Sequence, residues 1–285
     1  MKKLIEIPNE INYVEVYFTL RCNLGCSYCI NKNSGVVRKR KEMGAEVFAN
    51  SINKLVFNNL PLTIGGGEPT LREDFYDFVN GLDKNIKIDL LTNLSFDVDE
   101  FIRNIEVSRF YSHQMNKPSY KSIRVSYHPD FMDVETVIRK AKKLQEKGYS
   151  IGFFGINHPL NMQSNIDMSE FCHKNQIYFF IKDFLGTYEN HLFGYFHDVD
   201  GLKGGEKKCK CATKELLVGP GGNIFKCHRD LYHEEFAIGN IKDKDLSIEY
   251  KMRDCSKFGQ CNPCDLKIKV NRFLQMGQQS TEILA

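Results

Sequence analysis

Between residues 12 and 184, six β-rich runs alternate with helical stretches, and this rhythm constrains the fold more than any single motif. Residues 12–20 (NYVEVYFTL), 61–64, 86–91, 123–127, 150–156 and 177–184 read as strands. Residues 45–58, 74–82, 97–104, 133–147 and 167–174 between them read as helices. The amphipathic period of 133–147, stopped by Gly148, is the clearest of these. Strands separated by helices imply right-handed βαβ units and a parallel sheet, whose ligands sit beyond the carboxyl ends of the strands.

Motifs collect at those ends. The first run leads directly into Arg21-Cys22-Asn23-Leu24-Gly25-Cys26-Ser27-Tyr28-Cys29. Three cysteines at C-x3-C-x2-C are too close together and odd in number for a disulfide framework, and they suit three thiolates on one soft metal centre. A closed structural zinc site takes four protein ligands, and no fourth Cys or His lies nearby. A 4Fe–4S cluster on three cysteines keeps one iron open. The second run ends in Gly65-Gly66-Gly67-Glu68-Pro69-Thr70, the third in Thr92-Asn93, the fourth in His128-Pro129 and the fifth in His158-Pro159. No Lys-Ser/Thr follows the glycines, which excludes a P-loop.

Composition narrows the class. Apolar residues make up 42% and charged ones 26%, an ordinary globular balance. The net charge, 39 − 36 = +3, gives no reason to expect nucleic acid. No apolar run is long enough for a membrane span, and Glu6, Asn9 and Glu10 interrupt the N-terminal stretch where a signal peptide has its apolar core. Ten cysteines without such a signal predict a cytoplasmic protein that uses thiols as ligands rather than as disulfides.

Taken together, Cys22-x3-Cys26-x2-Cys29, the aromatic Tyr28 and Gly66-Gly67-Glu68-Pro69 resemble the radical S-adenosylmethionine superfamily. The resemblance implies an α/β fold, a partial (β/α)6 TIM-like barrel over residues 1–184. Cys22, Cys26 and Cys29 would then hold a 4Fe–4S cluster whose open iron chelates S-adenosylmethionine. Gly66, Gly67 and Glu68 would bind the methionine amino group, and Tyr28 would lie near the adenine. Asn93 and Ser126 are candidates for ribose or carboxylate contacts from their strand positions. His128 and His158 are open between loop packing and the substrate pocket, whereas Cys172, on a helix beside Phe171, reads as core.

Beyond residue 184 the periodicity fades, and six of the ten cysteines crowd into 209–264. Pro220-Gly221-Gly222-Asn223 between two β-like runs predicts a hairpin. Cys211, Gly222 and Cys227 resemble the opening signature of the SPASM or shorter twitch extensions of that superfamily, and Cys261-x2-Cys264 would complete four ligands. This implies a small hairpin and helix domain over 185–285 with one auxiliary 4Fe–4S cluster on Cys211, Cys227, Cys261 and Cys264, Cys209 being the alternative to Cys211. Cys255 is left as a further ligand, a structural residue, or a catalytic hydrogen-atom donor. The chain departs from the full two-cluster SPASM pattern, and a structural zinc site is the rival for these cysteines.

The implied activity is reductive cleavage of S-adenosylmethionine to a 5′-deoxyadenosyl radical that takes a hydrogen from substrate. A ribosomally made peptide is the leading substrate, for epimerisation, crosslinking or oxidation. The alternative is a small molecule such as an aminocyclitol, sugar or nucleotide, and a non-catalytic iron–sulfur or zinc scaffold is the alternative of another class. A flavodoxin- or ferredoxin-type donor would supply the electron.

Overall fold

A computed structural model describes residues 4–29, 40–111, 120–184, 186–193, 207–258 and 281–284. The elements in chain order are β1 (Ile5–Glu6), β2 (Tyr13–Thr19), α1 (Ala45–Ile52), β3 (Leu55–Val56), β4 (Leu62–Gly66), α2 (Phe75–Gly81), β5 (Ile88–Thr92), α3 (Val98–Asn104) and β6 (Ile123–Ser126). They continue with α4 (Val134–Glu146), β7 (Ile151–Asn157), α5 (Met162–Lys174), β8 (Tyr178–Asp183), β9 (Gly186–Tyr188), β10 (His191–Phe193) and β11 (Lys207–Thr213). The last are β12 (Glu215–Val218), β13 (Asn223–Phe225), α6 (His228–His233), β14 (Gly239–Asn240), β15 (Arg253–Phe258) and β16 (Thr281–Leu284).

A nine-stranded sheet in the order β14-β13-β12-β2-β4-β5-β6-β7-β8 dominates. Every neighbouring pair from β12 to β8 is parallel, the arrangement that βαβ alternation dictates and that a partial barrel requires. The helices cover one face. Val14, Val16 and Phe18 of β2 are all buried, and the Phe18 ring stacks on Phe78, 4.5 Å between centroids, and meets Phe48 and Phe75. Side chains alternate along a strand, so Tyr13, Glu15, Tyr17 and Thr19 face the other way. With them, by register, lie Thr63 and Asp89. That second face is buried and polar. Arg124 pairs with Asp89 at 3.0 Å, and the Tyr120 hydroxyl also bonds the Asp89 carboxylate. Glu15 and Glu215 flank His228, at 3.6 Å and 3.2 Å from its ring nitrogens.

Two local differences from the sequence expectation have simple causes. The stretch expected to be helical from 45 to 58 is helical only to Ile52, because Leu55–Val56 pairs in parallel with Ile5–Glu6. The helix expected from 167 begins at Met162, since Pro159 opens a single 3₁₀ turn whose first N–H is taken by the His158 ring.

The hairpin expected near Pro220 forms as β12 and β13, but it is not separate from the barrel. β12 lies parallel against β2, with Glu215 opposite Tyr13 and Val218 opposite Val16. A separate three-stranded antiparallel sheet has the order β15-β11-β16. Cys172 is fully buried on α5, and burial pushes its thiol up to about 12, as suits a core residue. Among the described residues no helix is long and apolar enough to cross a membrane.

Candidate active site

Main chain locks the cysteine loop to the glycine loop. The Gly67 N–H donates to the Thr19 carbonyl and the Glu68 N–H to the Arg21 carbonyl, each at 2.8 Å. A Cβ at Gly66, whose φ is +129°, would fall 2.0 Å from the Thr19 carbonyl oxygen, and one at Gly67 would fall 2.1 Å from that of Arg21. Only glycine permits this approach. The loop that carries Cys22 therefore starts from a position fixed by the end of β4.

Within that loop Cys26 is buried, whereas Cys22 and Cys29 are partly exposed. The Leu24 N–H donates to Cys22 Sγ at 3.4 Å, and the Cys29 N–H closes a turn on the Cys26 carbonyl. Burial, reinforced by the negative charge Cys29 and Cys22 would carry, pushes the Cys26 thiol up to about 11. Three thiols in one short loop ionise together only beside a strong cation. Among the described residues no group of three or more His, Cys, Asp or Glu side chains is arranged to hold a metal ion. A loop of three soft donors, with an N–H already bonded to one of them, has the donor set that a 4Fe–4S cluster with one open iron would take.

Glu68 is fully buried, and its carboxylate accepts from four donors. Thr70 N–H at 3.2 Å, Thr70 Oγ1 at 2.6 Å and Thr92 Oγ1 at 2.9 Å reach Oε1, and Asn93 N–H reaches Oε2 at 2.5 Å. Burial raises its pKa, and the bonds from Thr70, Asn93 and Thr92 oppose the rise. The carboxylate thus ties the glycine loop to the end of β5, and Oε2, which accepts a single bond, keeps a lone pair for a further donor. Asn93 is held by the same bond. Its Nδ2 donates to Asn23 Oδ1 at 2.8 Å and lies 3.9 Å from Cys22 Sγ, so the end of β5 touches the cysteine loop. Ser126 closes β6, partly buried, two residues before His128.

His128 is the residue whose place the sequence left open. Its Nδ1 lies 3.3 Å from Cys26 Sγ and 2.9 Å from the Tyr28 hydroxyl. Burial, with nearby Lys182, holds its pKa down at about 4 against the pull of Asp130, so the ring is neutral at pH 7. The Tyr28 ring is nearly parallel to His128 and also faces His158, at 5.8 Å and 5.5 Å between centroids. His158 packs in turn against Phe184 and Tyr188. An aromatic wall from the ends of β6 and β7 therefore backs the cysteine loop, with the Asn161 side chain beside the Tyr28 hydroxyl. The only sequence signal was a His-Pro step after each strand.

In the C-terminal part, Cys209 and Cys255 are register partners on β11 and β15, and burial together with Cys255 pushes the Cys209 thiol up to about 11. Cys211 and Cys227 are buried, and both lie with Cys255 near enough to Lys226 to hold its ammonium charged against burial. Cys209, Cys211, Cys227 and Cys255 are thus brought into one neighbourhood, whereas Cys261 and Cys264 lie outside the described residues.

Comparison with known proteins follows this geometry. Residues 16–111, which run from β2 through the cysteine and glycine loops to just beyond β5 and α3, match the Radical SAM superfamily. A probable GTP 3′,8-cyclase of Methanocaldococcus jannaschii is 26% identical over 73% of this chain and 71% of its own length. Another from Methanococcus aeolicus is 22% identical over 73% of this chain and 70% of its own. Among solved structures, Streptococcus suis SuiB bound to S-adenosylmethionine shares the fold, with TM-score 0.54 and 16% identity over 82% of this chain. This chain spans only 64% of the SuiB chain. anSMEcpe with bound AdoMet shares it likewise, with TM-score 0.54 and 15% identity over 83% of this chain and 79% of that one.

Proposed function

We propose that this chain is a radical SAM superfamily enzyme that uses a 4Fe–4S cluster with S-adenosylmethionine, holds the cluster on Cys22, Cys26 and Cys29 and modifies a peptide, a reading supported by the match over residues 16–111. The observation that carries the site assignment is the backbone seam between the cysteine loop and the glycine loop, with Asn93 and His128 closing on it from two further strands. When bound, the cluster and S-adenosylmethionine supply one-electron cleavage of the sulfonium and a 5′-deoxyadenosyl radical that takes hydrogen from substrate.

The chain's own residues do the rest. Gly66 and Gly67 keep side chains out of the space beside the cysteine loop. Glu68 holds that loop against β5, and Asn93 fixes Asn23 beside Cys22. The aromatic wall of Tyr28, His128 and His158 excludes water from the buried Cys26 side. The cysteines gathered near Lys226 support one auxiliary cluster in the C-terminal part, with Cys209 and Cys255 as candidate ligands beside Cys211 and Cys227.

The peptide reading draws support from the polar face of the sheet. Glu15, Glu215 and Asp89 are buried there against Arg124 and His228. A surplus of carboxylates suits an uncharged or cationic substrate better than a triphosphate. The two GTP 3′,8-cyclase relatives, each aligned over 73% of this chain, favour a nucleotide as the second reading. The test is anaerobic incubation of the reduced, reconstituted protein with S-adenosylmethionine and either a peptide panel or GTP. Peptide-dependent 5′-deoxyadenosine is the expected result. GTP-dependent release would replace the peptide reading, and no release under any condition would overturn the enzymatic one.

A further inference from the structure

We propose that His128 is a tuning residue of the cysteine loop, donating its Nδ1–H to the sulfur of Cys26 and thereby making the bound cluster easier to reduce. The inference rests on Cys26 being a cluster ligand. Its geometric basis is the 3.3 Å separation of His128 Nδ1 from Cys26 Sγ, on the one cysteine of the three that is buried.

Chemistry fixes the direction of the bond. A metal-bound thiolate has no proton to give, so the hydrogen between the two atoms must sit on nitrogen. An N–H pointed at a ligand sulfur stabilises the additional negative charge of the reduced state, and in a buried setting little water competes with it. The Tyr28 hydroxyl, 2.9 Å from the same nitrogen, also accepts that N–H and is itself hydrogen-bonded with the Cys26 side chain. His128, Tyr28 and Cys26 thus form one hydrogen-bonded group at the sulfur.

The position of His128 is not accidental packing. The turn after β6 is pinned at three points: Tyr127 N–H donates to the Phe154 carbonyl at 2.9 Å, His128 N–H to Met132 Sδ at 3.4 Å, and Phe131 N–H to the His128 carbonyl at 3.0 Å. Near-parallel packing against Tyr28, 26° between planes, sets the ring's orientation. Backbone and ring are both held before any metal binds, as a tuning contact needs.

The experiment compares wild type, His128→Phe, His128→Asn and Tyr28→Phe after anaerobic reconstitution, measuring iron and sulfide per chain and the midpoint potential by redox titration followed by electron paramagnetic resonance. His128→Phe keeps a ring and loses the donor. It is expected to lower the reduced-to-oxidised ratio at a fixed potential about tenfold, a midpoint about 59 mV more negative for one electron. His128→Asn, whose amide N–H occupies the place of Nδ1–H, is expected to stay near wild type. Tyr28→Phe keeps the His128 N–H on sulfur and is expected to shift the midpoint less than His128→Phe does. A fully loaded His128→Phe protein with the wild-type midpoint overturns the proposal, as does an Asn variant that shifts as far as Phe. Should His128→Phe fail to retain iron, an Asn midpoint that lies about 59 mV below wild type overturns the proposal and one near wild type upholds it. A wild type that binds no cluster overturns the ligand assignment of Cys26 and the tuning role with it, an outcome distinct from a loaded but unshifted variant.

Discussion

Replacing Glu68 tests whether the glycine loop is held by one carboxylate. In Glu68→Gln, one amide oxygen and one NH2 take the places of the two carboxylate oxygens. Oε1 faces the Thr70 N–H at 3.2 Å and Oε2 faces the Asn93 N–H at 2.5 Å, so in either orientation the NH2 meets a backbone N–H. The hydroxyls of Thr70 and Thr92 can rotate to accept, whereas a backbone N–H cannot. Glutamine is therefore expected to aim its oxygen at Asn93 and leave Thr70 unpaired, a loss of about 1–2 kcal/mol; alanine leaves both N–H groups unpaired, about 2–4 kcal/mol. Thermal unfolding of the three proteins at pH 7 gives the ranking wild type, Gln, Ala. The pH dependence supplies a second check. The native pKa of Glu68 is raised above the ordinary 4.5, so the folded state binds the proton more tightly than the unfolded one. Wild type should thus lose stability relative to Glu68→Gln as pH rises from 4.5 through the native value, and the difference should level off above it. An alanine variant that melts with wild type would refute the tie, and a pH-independent difference between wild type and Gln would refute its ionisation.

Two further outcomes follow from the same region. Gly67→Ala is expected to displace the Arg21 carbonyl, which lies 2.1 Å from the added Cβ, and so to lose most of its iron after reconstitution while keeping wild-type far-ultraviolet circular dichroism; full iron loading would contradict the seam. Arg72 donates to the carbonyls of Phe18 and Met43 and to Asp74 while its guanidinium lies 3.8 Å from the Phe18 ring centre. Arg72→Met should destabilise by about 3 kcal/mol in chemical denaturation, with Asp74→Asn costing less because Asp74 is partly exposed. Against its partial burial, the Arg72 bond and charge hold the Asp74 pKa below 3.8, so the Asp74 contribution is full above that pH and is lost as pH falls through the native value.

The sequence made the barrel legible because strands, helices and turn residues all agreed: each predicted strand from 12 to 184 overlaps an observed one. The placing of Cys22–Cys29, the glycines and Asn93 at strand ends followed from that alternation. What sequence could not supply was direction and long-range pairing. Nothing local says that the Glu68 carboxylate turns inward, since that depends on Thr92 and Asn93 arriving from another strand. Likewise His128 meets Cys26 across 102 residues, and a His-Pro step carries no record of its partner. The pairing of β12 with β2 was invisible for the same reason: a hairpin signal is local, whereas the third strand it joins is about two hundred residues away.

That pairing bears on how the chain is made. While a ribosome works through the middle of the message, β2 has β4 on one side and an open row of N–H and C=O groups on the other. Its second neighbour is translated only at residues 215–218 and needs a further stretch of chain before it clears the exit tunnel. The strand that leads into Cys22 thus waits as a sticky edge while about two hundred further residues are made, a state that invites wrong pairing or a chaperone. Completion of the sheet, and with it a settled platform for the cysteine loop, must await residues 215–218.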